Sequence, residues 1–206
     1  MTEAEAEAEL DRLAATVADF DAQNARDPRS LTVDGVARPQ ELVDAERLAV
    51  WIDRLAPDAS VPLRLAAHCQ HLRRWETPRT SYPDDRAGYL KWRAALLITH
   101  AELAAETLRA HGWDASTIDA VRCIVEKRRG PDTQHMEDAL CLAFLEHEAE
   151  EFASKHDEDK VVRVLRKTWR KMSPAGKQAA LELALSPPVA ALVSRAVADG
   201  ASADAT

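Results

Sequence analysis

The chain has 206 residues, 46% of them apolar and 30% charged, with a formal charge of −8 at neutral pH. That length can bury a core of its own, and the acidic balance argues against a general nucleic-acid binder. No apolar run approaches the roughly 18 residues of a membrane span, which argues against a membrane protein.

Ala, Leu, Glu and Arg dominate, and the alternation that half-buried strands need is nearly absent, so an all-α fold of about eight to nine helices is expected. One helical domain over 1–206 is predicted, with its core over about 20–185. The first helix covers Thr2 to Asn24, with Leu10, Leu13, Val17 and Phe20 on one face. Asp27 to Pro39 reads as an extended connection with room for a short hairpin. After Pro39 a second helix turns Leu42, Val43, Leu48, Trp51, Ile52 and Leu55 inward and ends at Ala56-Pro57-Asp58. Ser60 caps a third helix that runs to about Trp75 and carries His68 and His71 on one face. Pro78 and Pro83 rule out regular helix from Glu76 to Asp84. A long fourth helix follows to Ala110, with Tyr89, Trp92, Leu96, His100 and Leu103 on one stripe. Ser116 caps a fifth, with Ile118, Val121, Ile124 and Val125 inward. Met136 to His156 reads as a single sixth helix and Glu158 to Met172 as a basic seventh. Ser173-Pro174 and Ser186-Pro187 start two more, and the tail 199–206 is expected to fray.

The odd, widely spaced Cys69, Cys123 and Cys141 imply neither a disulfide framework nor a CxxC zinc site. The acidic start MTEAEAEAEL is the reverse of a secretory or mitochondrial leader. A reduced, cytoplasmic protein is expected.

Chemistry concentrates between Ala67 and His100, where histidine, arginine and large aromatics crowd together. Glu46, His71, His100 and Asp138 each sit on or beside an apolar helix stripe, where a polar group needs a partner. If they converged, mixed carboxylate and imidazole ligands would suit Fe, Mn or Zn. The alternative is four separate polar core residues, each bonded to a neighbour. Arg74, Arg79, Arg86 and Arg93, with Tyr82, Tyr89 and Trp92, read as the lining of a pocket for a small anionic molecule, since guanidinium forks match carboxylate and phosphate. The competing reading is a loop pinned by Arg–Asp pairs through Asp84 and Asp85. Lys160 to Lys177 holds seven basic residues and no acid. It is either a solvated face or a dock for an acidic partner or RNA. No nucleotide cofactor motif, Gly-rich phosphate loop or GxSxG nucleophile is present.

Several strings carry a resemblance: QHLRRWETPRTSYPDDRAGYLKWR (Gln70 to Arg93), HAELA (His100 to Ala104), EDALCLAFLE (Glu137 to Glu146), KHDEDK (Lys155 to Lys160) and RKTWRKMSPAG (Arg166 to Gly176). Together, over about Phe20 to Leu183, they resemble the bacterial and fungal family called domain of unknown function 4202, often labelled glutamyl-tRNA synthetase. That resemblance implies an all-helical fold and no established activity. A weaker similarity is to the HD-domain superfamily of metal-dependent phosphohydrolases and a few iron oxygenases. It implies an HD-like bundle with a divalent metal on His71, His100 and Asp138, and Glu46 in the place of an early histidine. Leu72 stands where that pattern has an aspartate. The expectation is therefore a metal-dependent phosphohydrolase, with an oxygenase as a variant, acting on a small phosphorylated anion. The alternatives are an anion-binding module with a degenerate metal site, or an interaction protein using the basic helix.

Overall fold

The computed structural model describes residues 2–203, with side chains through 198. These fall into two compact units, Met1–Met136 and Glu137–Thr206. The fold is all-α apart from one two-stranded hairpin. Among the described residues no helix is long and apolar enough to cross a membrane.

The first unit holds α1 (Glu3–Asn24), the hairpin β1 (Ser30–Val33) and β2 (Val36–Pro39), α2 (Gln40–Leu55), α3 (Val61–Cys69), α4 (Arg86–Ala110) and α5 (Ala115–Val125). The hairpin turns through Asp34 and Gly35, at φ 50° and 79°, the left-handed pair a tight two-residue connection requires. At the centre lies α3, a short helix whose Leu63, Leu65, Ala66, Ala67 and Cys69 are all buried, packed against α1, α2, α4 and α5. Polar side chains start the helices as expected: Thr2 and Glu5 form a reciprocal capping box on α1, and Ser60 caps α3. Asp114, not Ser116, caps α5; the Ser116 hydroxyl donates to Asp114 instead. The predicted inward face of α5 is the observed one. On α1, Leu10 is 65% exposed, and the buried stripe is Thr16, Phe20 and Asn24.

The third helix stops six residues short of Trp75, and the cause is on α1. The Asn24 side-chain amide donates to the His68 carbonyl at 2.8 Å, claiming the acceptor that a further helical turn would use for Leu72 N–H. Leu72 N–H bonds Cys69 O in a tighter turn, and Arg73 then enters the left-handed region at φ 56°. His71 thus lies beyond α3 and does not share a helix face with His68. The chain continues through two 3₁₀ turns, Arg74–Glu76 and Arg79–Ser81, in place of regular helix.

The helix α6 (Thr133–His147) begins in the first unit and continues into the second, which also holds α7 (Ala149–Lys155), α8 (Glu158–Lys171), α9 (Pro174–Leu181) and α10 (Pro187–Ala203). The predicted sixth helix is thus two, broken at Glu148. Val161, Val162 and Leu165 form the buried face of α8, which packs against α7 and α10. The helix α10 runs to Ala203, and residues 204–206 of the tail lie outside the described ones.

Candidate functional site

The turn after α3 delivers His71 beside His100 of α4, ring centroids 6.1 Å apart and edge to face. His100 is 2% exposed, and its Nδ1 lies 2.8 Å from the Leu72 carbonyl. A carbonyl only accepts, so Nδ1 carries the proton and Nε2 presents a lone pair. That Nε2 is buried with no hydrogen-bond partner. Burial, first, and the charge of Arg74 push His100 down to about 4, against the opposing bond to Leu72. His71 is half-buried. Burial holds it well below the usual imidazole range, helped by Arg74, His100, Lys127 and Arg93. Both rings are neutral at physiological pH, inside a field of positive charge.

Two of those cations rest on rings. The Arg74 guanidinium lies over Trp92 at 5.4 Å, and that of Arg93 over Tyr89 at 5.9 Å. Among the described residues neither makes an ion pair. Arg73 and Lys127 both have left-handed backbones, at φ 56° and 57°. Each such residue costs on the order of 1 kcal/mol and persists only where packing enforces it. Arg73 itself turns outward to a two-pronged pair with Glu76.

Below the turn lies a buried ionic group that sequence reasoning missed. Asp27 accepts from Arg29 and from the Glu41 N–H, while Arg29 also reaches Glu41 at 2.5 Å. One guanidinium thus serves two buried carboxylates. Burial raises Asp27, but its several donors outweigh that and hold it below the usual carboxylate range. At Glu41 burial prevails over Arg29 and Arg74, and its carboxyl is pushed up to about 7. Burial likewise raises Asp44. No local pattern marks Asp27, because its burial is set by α2 arriving over the hairpin.

Of the four expected metal ligands, the structure brings together His71 and His100. Glu46 is not turned into the core; its carboxylate forms a two-pronged pair with Arg38 at 2.9 and 2.6 Å and is 41% exposed. Asp138, in the second unit, accepts from Ser173 N–H at 2.8 Å and from Ser173 Oγ at 2.5 Å. Among the described residues no group of three or more His, Cys, Asp or Glu is arranged to hold a metal ion. His100 alone has the form of a ligand, with one nitrogen fixed by a carbonyl and the other bare. The remaining donors do not fit a metal centre, and the cations that keep His71 neutral also oppose a divalent ion there.

The arginine cluster divides. Arg79 donates to the Tyr82 and Asp85 carbonyls and pairs with Asp84 at 3.6 Å, so it pins the loop. Asp85 in turn caps α4 through Gly88 N–H at 2.6 Å. Arg86 is exposed at the first turn of α4, and Tyr82 is half-buried. On α8, Arg163, Lys167 and Arg170 are exposed and have no acidic partner among the described residues. Lys171 pairs with Glu137 at 2.9 Å.

A model of the family described as domain of unknown function, DUF4202, matches residues 14–193. No curated protein and no solved structure matches the chain.

Proposed function

The chain belongs to the DUF4202 family, and from that premise, which brings a domain but no activity, we propose that it binds a small anionic molecule at the His71–His100 corner without a metal. One observation carries this reading. Arg74 and Arg93 bring positive charge to an imidazole whose burial keeps it uncharged, each guanidinium lies on a ring face with no ion pair among the described residues, and the acids that Arg74 also acts on, Glu41 and Asp44, are themselves raised by burial. An anion would meet that potential, and the bare Nε2 of His100 would accept a hydrogen bond from a protonated oxygen of the ligand. Arg74 and Arg93, free of ion pairs, supply the charge-assisted donors. The hydrolase alternative uses the same two histidines but needs an ion to activate water, and the carboxylates expected to hold it are engaged elsewhere.

Calorimetric titration with inorganic phosphate in the presence of a chelator tests the proposal. Binding is expected to survive chelation, and Arg74→Met, which keeps an aliphatic stem against Trp92, is expected to weaken it about 10- to 100-fold. Phosphate binding that the chelator abolishes would return the metal-dependent reading. Unchanged affinity in Arg74→Met would remove this site.

A second reading rests on α8. Arg163, Lys167 and Arg170 make no ion pair among the described residues and stand at i, i+4 and i+7 along one exposed face. An acidic protein segment fits this stripe better than RNA, given the overall charge of −8. Binding of a fluorescent polyglutamate peptide is expected at low salt, and Lys167→Glu is expected to weaken it several-fold. Absence of binding would leave the face merely solvated.

A further inference from the structure

The second unit holds a cavity of about 580 Å³ among α7, α8 and α10, the size of a small-molecule site. Its apolar walls are Ala153 of α7, Val161 of α8, and Pro188, Val189 and Leu192 of α10. A smaller recess of about 110 Å³ adjoins it, and the two share Glu150, Ser186 and Val189. The recess is otherwise bounded by Leu145, Glu146 and the turn at 183–185. One carboxylate and one hydroxyl therefore stand where an apolar space meets a narrow polar one. Glu150 makes no ion pair among the described residues, although Glu151, in the same turn of α7, holds Lys155. Ser186 Oγ is buried and has no hydrogen-bond partner.

The cations around the larger cavity are already engaged. Arg195, which lines it, is shared between Glu158 and Asp159, one guanidinium for two acids. Lys160 Nζ lies 3.2 Å from Nδ1 of His156, another lining residue. The surroundings are thus acidic on balance, and the uncommitted charge is that of Glu150. We propose that the paired cavities bind a small hydrophobic amine, its alkyl or aryl body in the larger space and its ammonium head against Glu150 and Ser186. An ammonium brings three donors and no acceptor, which suits a free carboxylate and an unpartnered hydroxyl oxygen. A carboxylate head would instead meet Glu150 and Glu146 as like charges. A neutral alcohol would satisfy Ser186 and leave the Glu150 charge unanswered.

The test is calorimetric titration of the full-length chain at neutral pH with octylamine, octanol and octanoate, which share a chain length and differ in charge. Octylamine is expected to bind about fivefold or more tighter than octanol, with octanoate the weakest. Glu150→Gln should bring octylamine down to the level of octanol and leave octanol where it was. Ala191→Trp, which adds a large side chain at an exposed lining position, should weaken both by about tenfold or more. Glu150 and Ala191 are both exposed, so each variant is expected to keep the parent's melting temperature, which checks that it folds. Octanoate binding as tightly as octylamine would overturn the amine class. Octylamine that binds Glu150→Gln or Ala191→Trp as it binds the parent would lie elsewhere, and the site would be wrong. If the parent binds none of the three, the proposal falls altogether.

Discussion

Between pH 6.5 and 4 the first unit is expected to lose about 3 kcal/mol of stability through His100 alone. The ring titrates near 6.5 in the unfolded chain and near 4 in the fold, so across that window the unfolded state binds more protons. Its contribution is complete above pH 6.5 and drains away as pH falls through the folded value. His71, lowered further by burial and by Arg74, Lys127 and Arg93, adds loss in the same direction. Glu41 works the other way. Its raised value, about 7 against the ordinary 4.5, means that its contribution is present below pH 4.5 and lost as pH rises through 7. From pH 4.5 to 6.5 the two imidazoles therefore favour the higher pH, Glu41 and the burial-raised Asp44 oppose them, and His100 contributes a positive slope. Urea unfolding at a series of pH values measures the slope. His100→Asn, whose side-chain amide can still donate toward Leu72, should flatten it; Glu41→Gln should steepen it. A slope untouched by His100→Asn would mean that the ring is charged inside the fold, and the field argument for an anion would fail with it.

Local pattern carried much of the architecture. The apolar face of α5 and the serine starts of α3 and α9 were legible because each depends on residues within one or two helical turns. What failed depended on partners far along the chain. Nothing between Ser60 and Trp75 announces that α3 ends at Cys69, because Asn24 ends it from another helix. Glu46 reads as inward by its apolar neighbours, yet Arg38 draws it out. Glu41, which looks like an ordinary first-turn acid, is buried because Arg29 is there to meet it. The arginine and aromatic cluster was visible by composition alone. Which arginines bind loop carbonyls and which lie on rings follows from the 3₁₀ turns, and these follow in turn from the left-handed Arg73. The residues of the candidate site were therefore easier to find than their roles.

Asp138→Ala is expected to destabilise the second unit by about 3 kcal/mol, because it strands two donors that Asp138 now satisfies. The carboxylate is 1% exposed, with Oδ1 on Ser173 N–H and Oδ2 on the Ser173 hydroxyl. That same hydroxyl accepts from Gly176 N–H at 3.1 Å and so starts α9. One acid on α6 thus fixes the cap of another helix, and the packing is tight enough to dictate the next residue. A Cβ on Gly176 would lie 2.6 Å from the Asp138 carboxyl carbon, so Gly176→Ala should push the two elements apart and destabilise comparably. Asp138→Asn, which can still accept from Ser173 N–H, should fall between. Thermal unfolding followed with elemental analysis of the same samples separates this role from that of a metal ligand. A structural acid lowers the melting temperature in the order Asn, then Ala, with metal content unchanged. A ligand would lose metal in both variants while the apo melting temperature stayed where it was. The two donors on Asp138 favour the first outcome, since a carboxylate already holding a backbone N–H and a hydroxyl would have to release a helix cap to bind an ion.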